Sequence, residues 1–311
     1  MKAIYKREVQ SYFNSMIGWM FTAALTAFIG IYFMAYNLFQ GDAYFSTALG
    51  ATLFVLMVLV PILTMRSMAE ERRSRTDQLL LTAPASVTAV VMGKYLAMLT
   101  VLACPLAIAC LCPLIIHFNG TAFLLSDYAS ILAFFLLGAA EIAVGLLISA
   151  LTESQVLSAV GTFGLLLVLY LWDGLVAYLP STAGGSLAGL LVILALVCFL
   201  VNALSSNWKV TAAVFVAGAA AIIGGYIAAS DRFAGLLPDM LGRFSLLGAF
   251  DSFSVDHVFD VRGILLYLSL IALLVFCLLY TSPLFSFSSF SLQKQQASGF
   301  PEACCTLSKT F

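Results

Sequence analysis

Residues 128–151 read YASILAFFLLGAAEIAVGLLISAL, 24 positions with a single Asp, Glu, Lys or Arg, Glu141. A helix of about 20 mostly apolar residues covers the roughly 30 Å hydrocarbon core of a bilayer. Lipid cannot hydrogen-bond an exposed backbone, so a run of this length must be helical there. Outward from it, similar runs occur at Met16–Phe39, Tyr44–Met65, Val91–Ile116, Val156–Tyr178, Ser186–Leu204, Val210–Ala229 and Gly263–Tyr280. Eight hydrophobic segments in 311 residues predict a multi-span membrane protein. Composition agrees: 62% of residues are hydrophobic, 9% are charged and mean hydropathy is +1.06. Soluble domains carry about 25% charged residues, so a cytosolic enzyme, a secreted disulfide scaffold and a disordered chain are excluded. With 14 basic and 15 acidic side chains, no net field recruits nucleic acid.

Basic residues stay on the cytoplasmic side of a membrane. Lys2, Lys6, Arg7, Arg66, Arg72, Arg73, Arg75, Lys94 and Lys209 fall on one side, against Arg232, Arg243 and Arg262 on the other. All Asp residues except Asp77 fall opposite the basic side. Both termini are therefore expected in the cytoplasm. The apolar run after the charged start is too long for a signal-peptide core, so the first span is expected to remain as an anchor. The seven cysteines lack zinc or redox spacing, and the five within spans read as packing residues.

Three polar islands carry the remaining information. In 1–15, Ile4, Tyr5, Val9, Tyr12, Phe13 and Met16 share one half of a helical wheel, opposite Lys6, Arg7, Gln10, Ser11 and Asn14. Glu8 is the exception. This pattern predicts a helix lying in the interface, basic side toward headgroups. In 66–84, Met65, Met68, Ala69, Thr76, Leu79 and Leu80 form a stripe, with Arg72 intruding. Glu71 with Arg75, and Arg73 with Asp77, are i,i+4 opposite-charge pairs, and Pro84 supplies a stop. A short amphipathic helix on the cytoplasmic surface is expected there. In 231–262, five Asp, three Arg and His257 alternate with apolar residues, predicting short extracytoplasmic helices that gate an exit or plug the bundle.

Chemistry-bearing motifs are scarce. A phosphate-cradling loop needs G-x-x-x-x-G-K-[ST], and the one Gly-Lys, Gly93-Lys94, is followed by Tyr95 at a span. His117 and His257 form no metal motif. Glu141 lies mid-span, where a charge costs about 2.5–3.5 kcal/mol on translocon scales. It reads either as part of a translocation path or as a protonated carboxyl bonded to a neighbouring helix. Lys94 is expected to snorkel to the cytoplasmic surface. The spans lack a dense charged pathway, which favours a lipid-linked or amphipathic cargo over a small ion.

With these islands located, the chain resembles the permease subunits of ABC-2 type transporters, particularly the gliding-motility type. The likeness is carried, in order, by Lys6-Arg7-Glu8-Val9-Gln10-Ser11-Tyr12-Phe13, Pro61–Arg66, Glu70-Glu71-Arg72-Arg73 with Thr76, Leu79-Leu80 and Pro84, Gly93–Leu96, Leu151–Gln155, Phe250–Val261 and Leu266–Phe276. It extends over residues 1–276. The resemblance implies an all-α ABC-2 (type V exporter-like) transmembrane domain over 1–280, with residues 1–15 as elbow helix and 66–84 as the coupling-helix loop. It further implies a homodimer, or a heterodimer with a paralogous permease, on cytosolic P-loop ATP-binding subunits that bind the ATP and Mg. No cofactor is expected in this chain itself, and no catalytic site. By position, Met68, Glu70, Glu71, Arg72, Arg73, Thr76, Leu79, Leu80 and Glu153 become the expected ATPase-coupling residues, in a bacterial inner membrane. Export is expected over import. The family core has six spans, so Ser186–Ala229 reads as an addition, and Thr281–Phe311 as an atypical or disordered tail. The rival readings are an ion-gradient-driven carrier using Glu141 and a non-transporting scaffold.

Overall fold

In the computed structural model, residues 2–74, 87–120, 123–205, 215, 217–220, 235–255 and 260–298 are described. Among them the chain is helix and turn throughout, with no strand. The helices are α1 (Lys2–Asn14), α2 (Met16–Tyr32), α3 (Phe45–Thr64), α4 (Ala69–Arg73), α5 (Val87–Ala109), α6 (Cys112–Asn119), α7 (Leu124–Leu151), α8 (Gln155–Tyr170), α9 (Trp172–Ala177), α10 (Ala183–Ser205), α11 (Leu236–Gly242), α12 (Leu246–Ser254) and α13 (Val261–Ser298). A widened π-helical segment, Phe33–Phe39, prolongs α2. Five stretches among the described residues are long and apolar enough to cross a membrane: Met16–Phe39, Phe45–Glu71, Thr88–Phe118, Leu124–Leu151 and Val261–Tyr280. They correspond to the first four and the last of the expected segments.

The fifth expected segment, Val156–Tyr178, is not one helix. It stops at Tyr170 and restarts at Trp172. At about 1.5 Å per residue, the 16-residue α8 rises about 24 Å, short of a full crossing. The break has a polar cause. Trp172 Nε1 donates to the Leu241 carbonyl at 2.9 Å, and Asp173 accepts from the Ser245 hydroxyl at 2.5 Å; both partners lie outside the segment. The sixth expected segment falls within α10. The seventh, Val210–Ala229, lies outside the described residues except for 215 and 217–220. The backbone of α13 is helical to Ser298, and 299–311 lie outside the described residues.

The chain divides into two compact units, 1–167 with 250–311, and 168–249. In the larger unit α7 is the central helix, packed on α3, α5 and α13, while α1 lies across α2 and α5. Its small residues permit this. A Cβ on Gly138 would meet Leu102 at 2.8 Å, and one on Gly145 would fall onto the Thr64 side chain. Gly18 lets α2 pass the backbone of α1, since its Cβ would lie 2.5 Å from the Tyr12 carbonyl oxygen. In the smaller unit α11 packs against α9 and α10.

At one end of the bundle, two side chains hold a single peptide group. Asn37 Nδ2 donates to the carbonyl of Tyr44 at 3.0 Å and to that of Asp42 at 2.8 Å. From α7, Asp127 Oδ1 accepts from the Phe45 amide at 2.9 Å. That amide is one of the orphan donors at the start of α3. Asp42 completes the turn by accepting from the Tyr44 amide and the Thr47 hydroxyl. Near the same end, Ser46 and Ser254 exchange side-chain to backbone hydrogen bonds of 3.0 and 3.1 Å, seating the end of α12 on α3.

Candidate functional site

The opposite end of the larger unit carries most of its charge. The chain leaves α3 through a turn at Met65–Met68 and starts α4, whose first amides need acceptors. Ser149, near the end of α7, supplies one: its hydroxyl oxygen accepts from the Met68 and Ala69 amides at 3.2 and 3.1 Å, and Ala69 is fully buried. Thus α4 is capped by a side chain from a different helix rather than by its own leading residue. Ser149→Ala removes that acceptor from a buried site and is expected to cost about 1–3 kcal/mol, measured as a lower thermal unfolding midpoint in detergent.

Lys94, within α5, is 2% exposed. Its ammonium donates to Glu71 Oε1 at 2.8 Å and to the Ser67 carbonyl at 2.8 Å, with Glu8 Oε1 at 3.7 Å. Arg7 pairs with Glu8 at 2.7 Å and reaches Glu71 at 3.9 Å. Two cations and two carboxylates therefore form a neutral cluster shared by α1, α4 and α5. The Glu8 carboxylate beside Arg7 holds its guanidinium above the ordinary value, and burial pushes the Tyr12 phenol up, keeping it uncharged. Close packing accompanies the charges: a Cβ on Gly93 would meet Ile4 at 3.0 Å, and the Tyr5 and Thr100 hydroxyls share a 2.8 Å hydrogen bond. Arg66 and Glu70 form a bidentate pair of 2.7 and 2.8 Å on the exposed side, of a kind worth up to about 1 kcal/mol.

The expected site residues separate accordingly. Met68 and Glu71 are built into the joint, Glu70 is paired outward with Arg66, and Arg73 is exposed. Arg72 stands on α4 between them. Thr76, Leu79 and Leu80 lie outside the described residues, as do Arg75 and Asp77. Glu153 is exposed in the turn between α7 and α8 and makes no ion pair among the described residues. The expectation for Lys94 is corrected: it does not snorkel to the surface but is buried, because Glu71 and the Ser67 carbonyl solvate its ammonium. Glu8, the exception on the wheel of α1, faces inward toward the same cation. Sequence reasoning missed Ser149 altogether. The signal for the Lys94 pair was present, a carboxylate on an apolar half-helix and a lysine inside an apolar run.

Glu141 stands within α7. Its Oε2 is sealed from solvent without a hydrogen-bond partner, although the residue as a whole is only partly covered. No group of three or more His, Cys, Asp or Glu is arranged to hold a metal among the described residues.

Helices that span, a capped segment between two of them and a charge-neutral joint define a polytopic, all-α membrane domain. The sequence profile described as ABC-2 family transporter protein matches residues 2–187, and the chain belongs to that family. The match runs from α1 into the start of α10 and so includes the joint, the cap and Glu141. No curated protein and no solved structure matches the chain.

Proposed function

We propose that this chain is the permease subunit of an ATP-driven ABC-2 exporter of the gliding-motility type, working as a dimer in a bacterial inner membrane with both termini in the cytoplasm. ATP and Mg are bound and ATP is hydrolysed by a separate P-loop subunit, and the segment Met68–Leu80 receives its motion. One observation supports this reading above the others: the start of that segment is not a free loop. Glu71 is tied to Lys94 and, through the charge cluster, to Arg7 and Glu8, while Ser149 holds Met68 and Ala69. A displacement of the segment is thereby delivered to α1, α3, α5 and α7 together, as a rigid-body transition requires. Within it, Glu71 braces the lever from inside, and exposed Arg73 with Glu70 faces the ATPase, with Arg72 a further docking residue by its place on α4. Gly93-Lys94 serves packing and pairing rather than phosphate binding.

The test is purification of the tagged chain in mild detergent with identification of what accompanies it. A stoichiometric P-loop ATPase is expected. Arg73→Glu is expected to reduce its recovery roughly tenfold, equivalent to about 1.4 kcal/mol, with an unchanged unfolding midpoint, because Arg73 is exposed and makes no ion pair among the described residues. A folded, intact preparation without any ATPase would overturn the reading and favour a gradient-driven carrier built on Glu141. Full recovery with Arg73→Glu would remove Arg73 from the docking face.

A further inference from the structure

The sequence places α1 in the membrane interface, and the structure changes what would hold it there. Its apolar half is spent on protein. Ile4 lies against Gly93, the Tyr5 hydroxyl bonds Thr100, Tyr12 is buried, and Phe13 meets Trp19 edge to face at 5.6 Å. What stays open is the other half, including Lys2, Lys6, Arg7, Gln10 and Asn14. The one carboxylate of α1, Glu8, is turned inward to Arg7 and Lys94, with 12% of its side chain exposed. The open face therefore carries cations and neutral polar groups only. Lys2 and Lys6, four residues apart and so neighbours on the helix surface, make no ion pair among the described residues, whereas Arg7 is held by Glu8 at 2.7 Å.

Depth decides which anion such a face meets. The crossing stretch that begins in α5, Thr88–Phe118, has 31 residues. At about 1.5 Å per residue it spans roughly 46 Å, close to a bilayer of about 40–45 Å with its headgroups. Gly93, where Ile4 packs, lies five residues inside that stretch, a depth of about 8 Å. Headgroups occupy roughly 5–8 Å on each side of the hydrocarbon core, so α1 lies where they meet the acyl chains. Exposed Met16, Trp19 and Met20 at the start of α2 mark the same level, since tryptophan collects at that boundary. A soluble acidic partner would have to enter the headgroup layer to reach α1; a phospholipid is already there. We propose that the open face of α1 docks phospholipids with net-negative headgroups, whose phosphates pair with Lys2 and Lys6. With the apolar half spent on protein, charge selects the lipid. This goes beyond the permease reading and does not rest on it.

The test uses the full chain in phosphatidylcholine nanodiscs doped with one of two photoreactive probes. One is a phosphatidylglycerol and the other a phosphatidylcholine, each with a diazirine near the ester end of one acyl chain. Label on residues 2–20 is read by mass spectrometry at equal probe content. A preference of roughly tenfold for the phosphatidylglycerol is expected, the order that two lysines near a charged surface provide. It should vanish when Lys2→Gln and Lys6→Gln are combined, and persist when Lys2→Arg and Lys6→Arg are combined. Raising the salt from about 0.1 to 1 M shrinks the screening length from about 10 to 3 Å and should weaken the preference several-fold. Equal labelling of the wild type by both probes would overturn the proposal and leave the face to an acidic partner protein. A preference that survives in the double glutamine variant would overturn it too, as would one confined to other helices. Both lysines are exposed, so the glutamine variant should keep the wild-type unfolding midpoint, and the wild-type comparison decides in any case.

Discussion

Lys94→Met is expected to destabilise the protein by about 3–5 kcal/mol, the cost of breaking a buried ion pair from one side. The thioether chain fills much of the same space, so packing loss is the smaller part. What is lost is the donor shared by Glu71 Oε1, at 2.8 Å, and the Ser67 carbonyl, together with the attraction of Glu8. Glu71 then loses its closest cation, and the guanidinium of Arg7 stands farther off, at 3.9 Å. Adding Glu71→Gln to Lys94→Met should recover part of the loss, because a carboxylate deprived of its closest cation is replaced by a neutral amide; in the native background Glu71→Gln should itself destabilise. This sign reversal, read from unfolding midpoints in detergent, separates a coupled pair from two independent residues. A loss below about 1 kcal/mol for Lys94→Met, the size of an exposed ion pair, would show that the cluster does not hold α1, α4 and α5 together.

The second large effect is expected at Gly18. A Cβ there would sit 2.5 Å from the Tyr12 carbonyl oxygen and 2.9 Å from its carbon. Both are backbone atoms that no rotamer change can move. Gly18→Val therefore forces α1 and α2 apart, at a cost of about 1–3 kcal/mol for overpacking. The neighbouring bond from Trp19 Nε1 to the Phe13 carbonyl, 2.8 Å, should loosen with it. Tryptic cleavage at Lys6 and Arg7, both exposed on α1, should accelerate several-fold as the helix lifts. Gly30→Val is the control, since a Cβ at Gly30 meets nothing within 4 Å, and it should leave cleavage unchanged. Equal rates for the two variants would mean that the crossing at Gly18 does not position α1.

How much was legible beforehand follows from the range of the forces involved. The α7 run and the four other crossing stretches stand out in sequence because burying a backbone in lipid is a local demand. The wheel of α1 was equally readable: Tyr12 is buried while Lys2, Lys6, Arg7 and Gln10 point outward. Glu8 looked like an error in that pattern because its reason, Lys94, lies 86 residues away. The break after Tyr170 was hidden for the same reason, as the partners of Trp172 and Asp173 come from residues 241 and 245. Segment 66–84 was recognisable as amphipathic, and the expected partner of Glu71 along the helix, Arg75, lies outside the described residues, whereas the partner the sequence did not suggest, Lys94, comes from α5. Ser149 had no signature at all, since a hydroxyl at the end of an apolar run looks the same whether it caps a distant segment or faces lipid.

The peptide group between Tyr44 and Phe45 has a consequence for biogenesis. Its carbonyl is held by Asn37, made just before it, but its amide waits for Asp127, which leaves the ribosome 82 residues later. The hairpin of α2 and α3 thus enters the membrane with the first turn of α3 lacking the acceptor it will finally use. Until α7 arrives, that donor needs another acceptor. Early assembly of the first two helices is therefore provisional, and the synthesis of α7 is the event that makes it permanent.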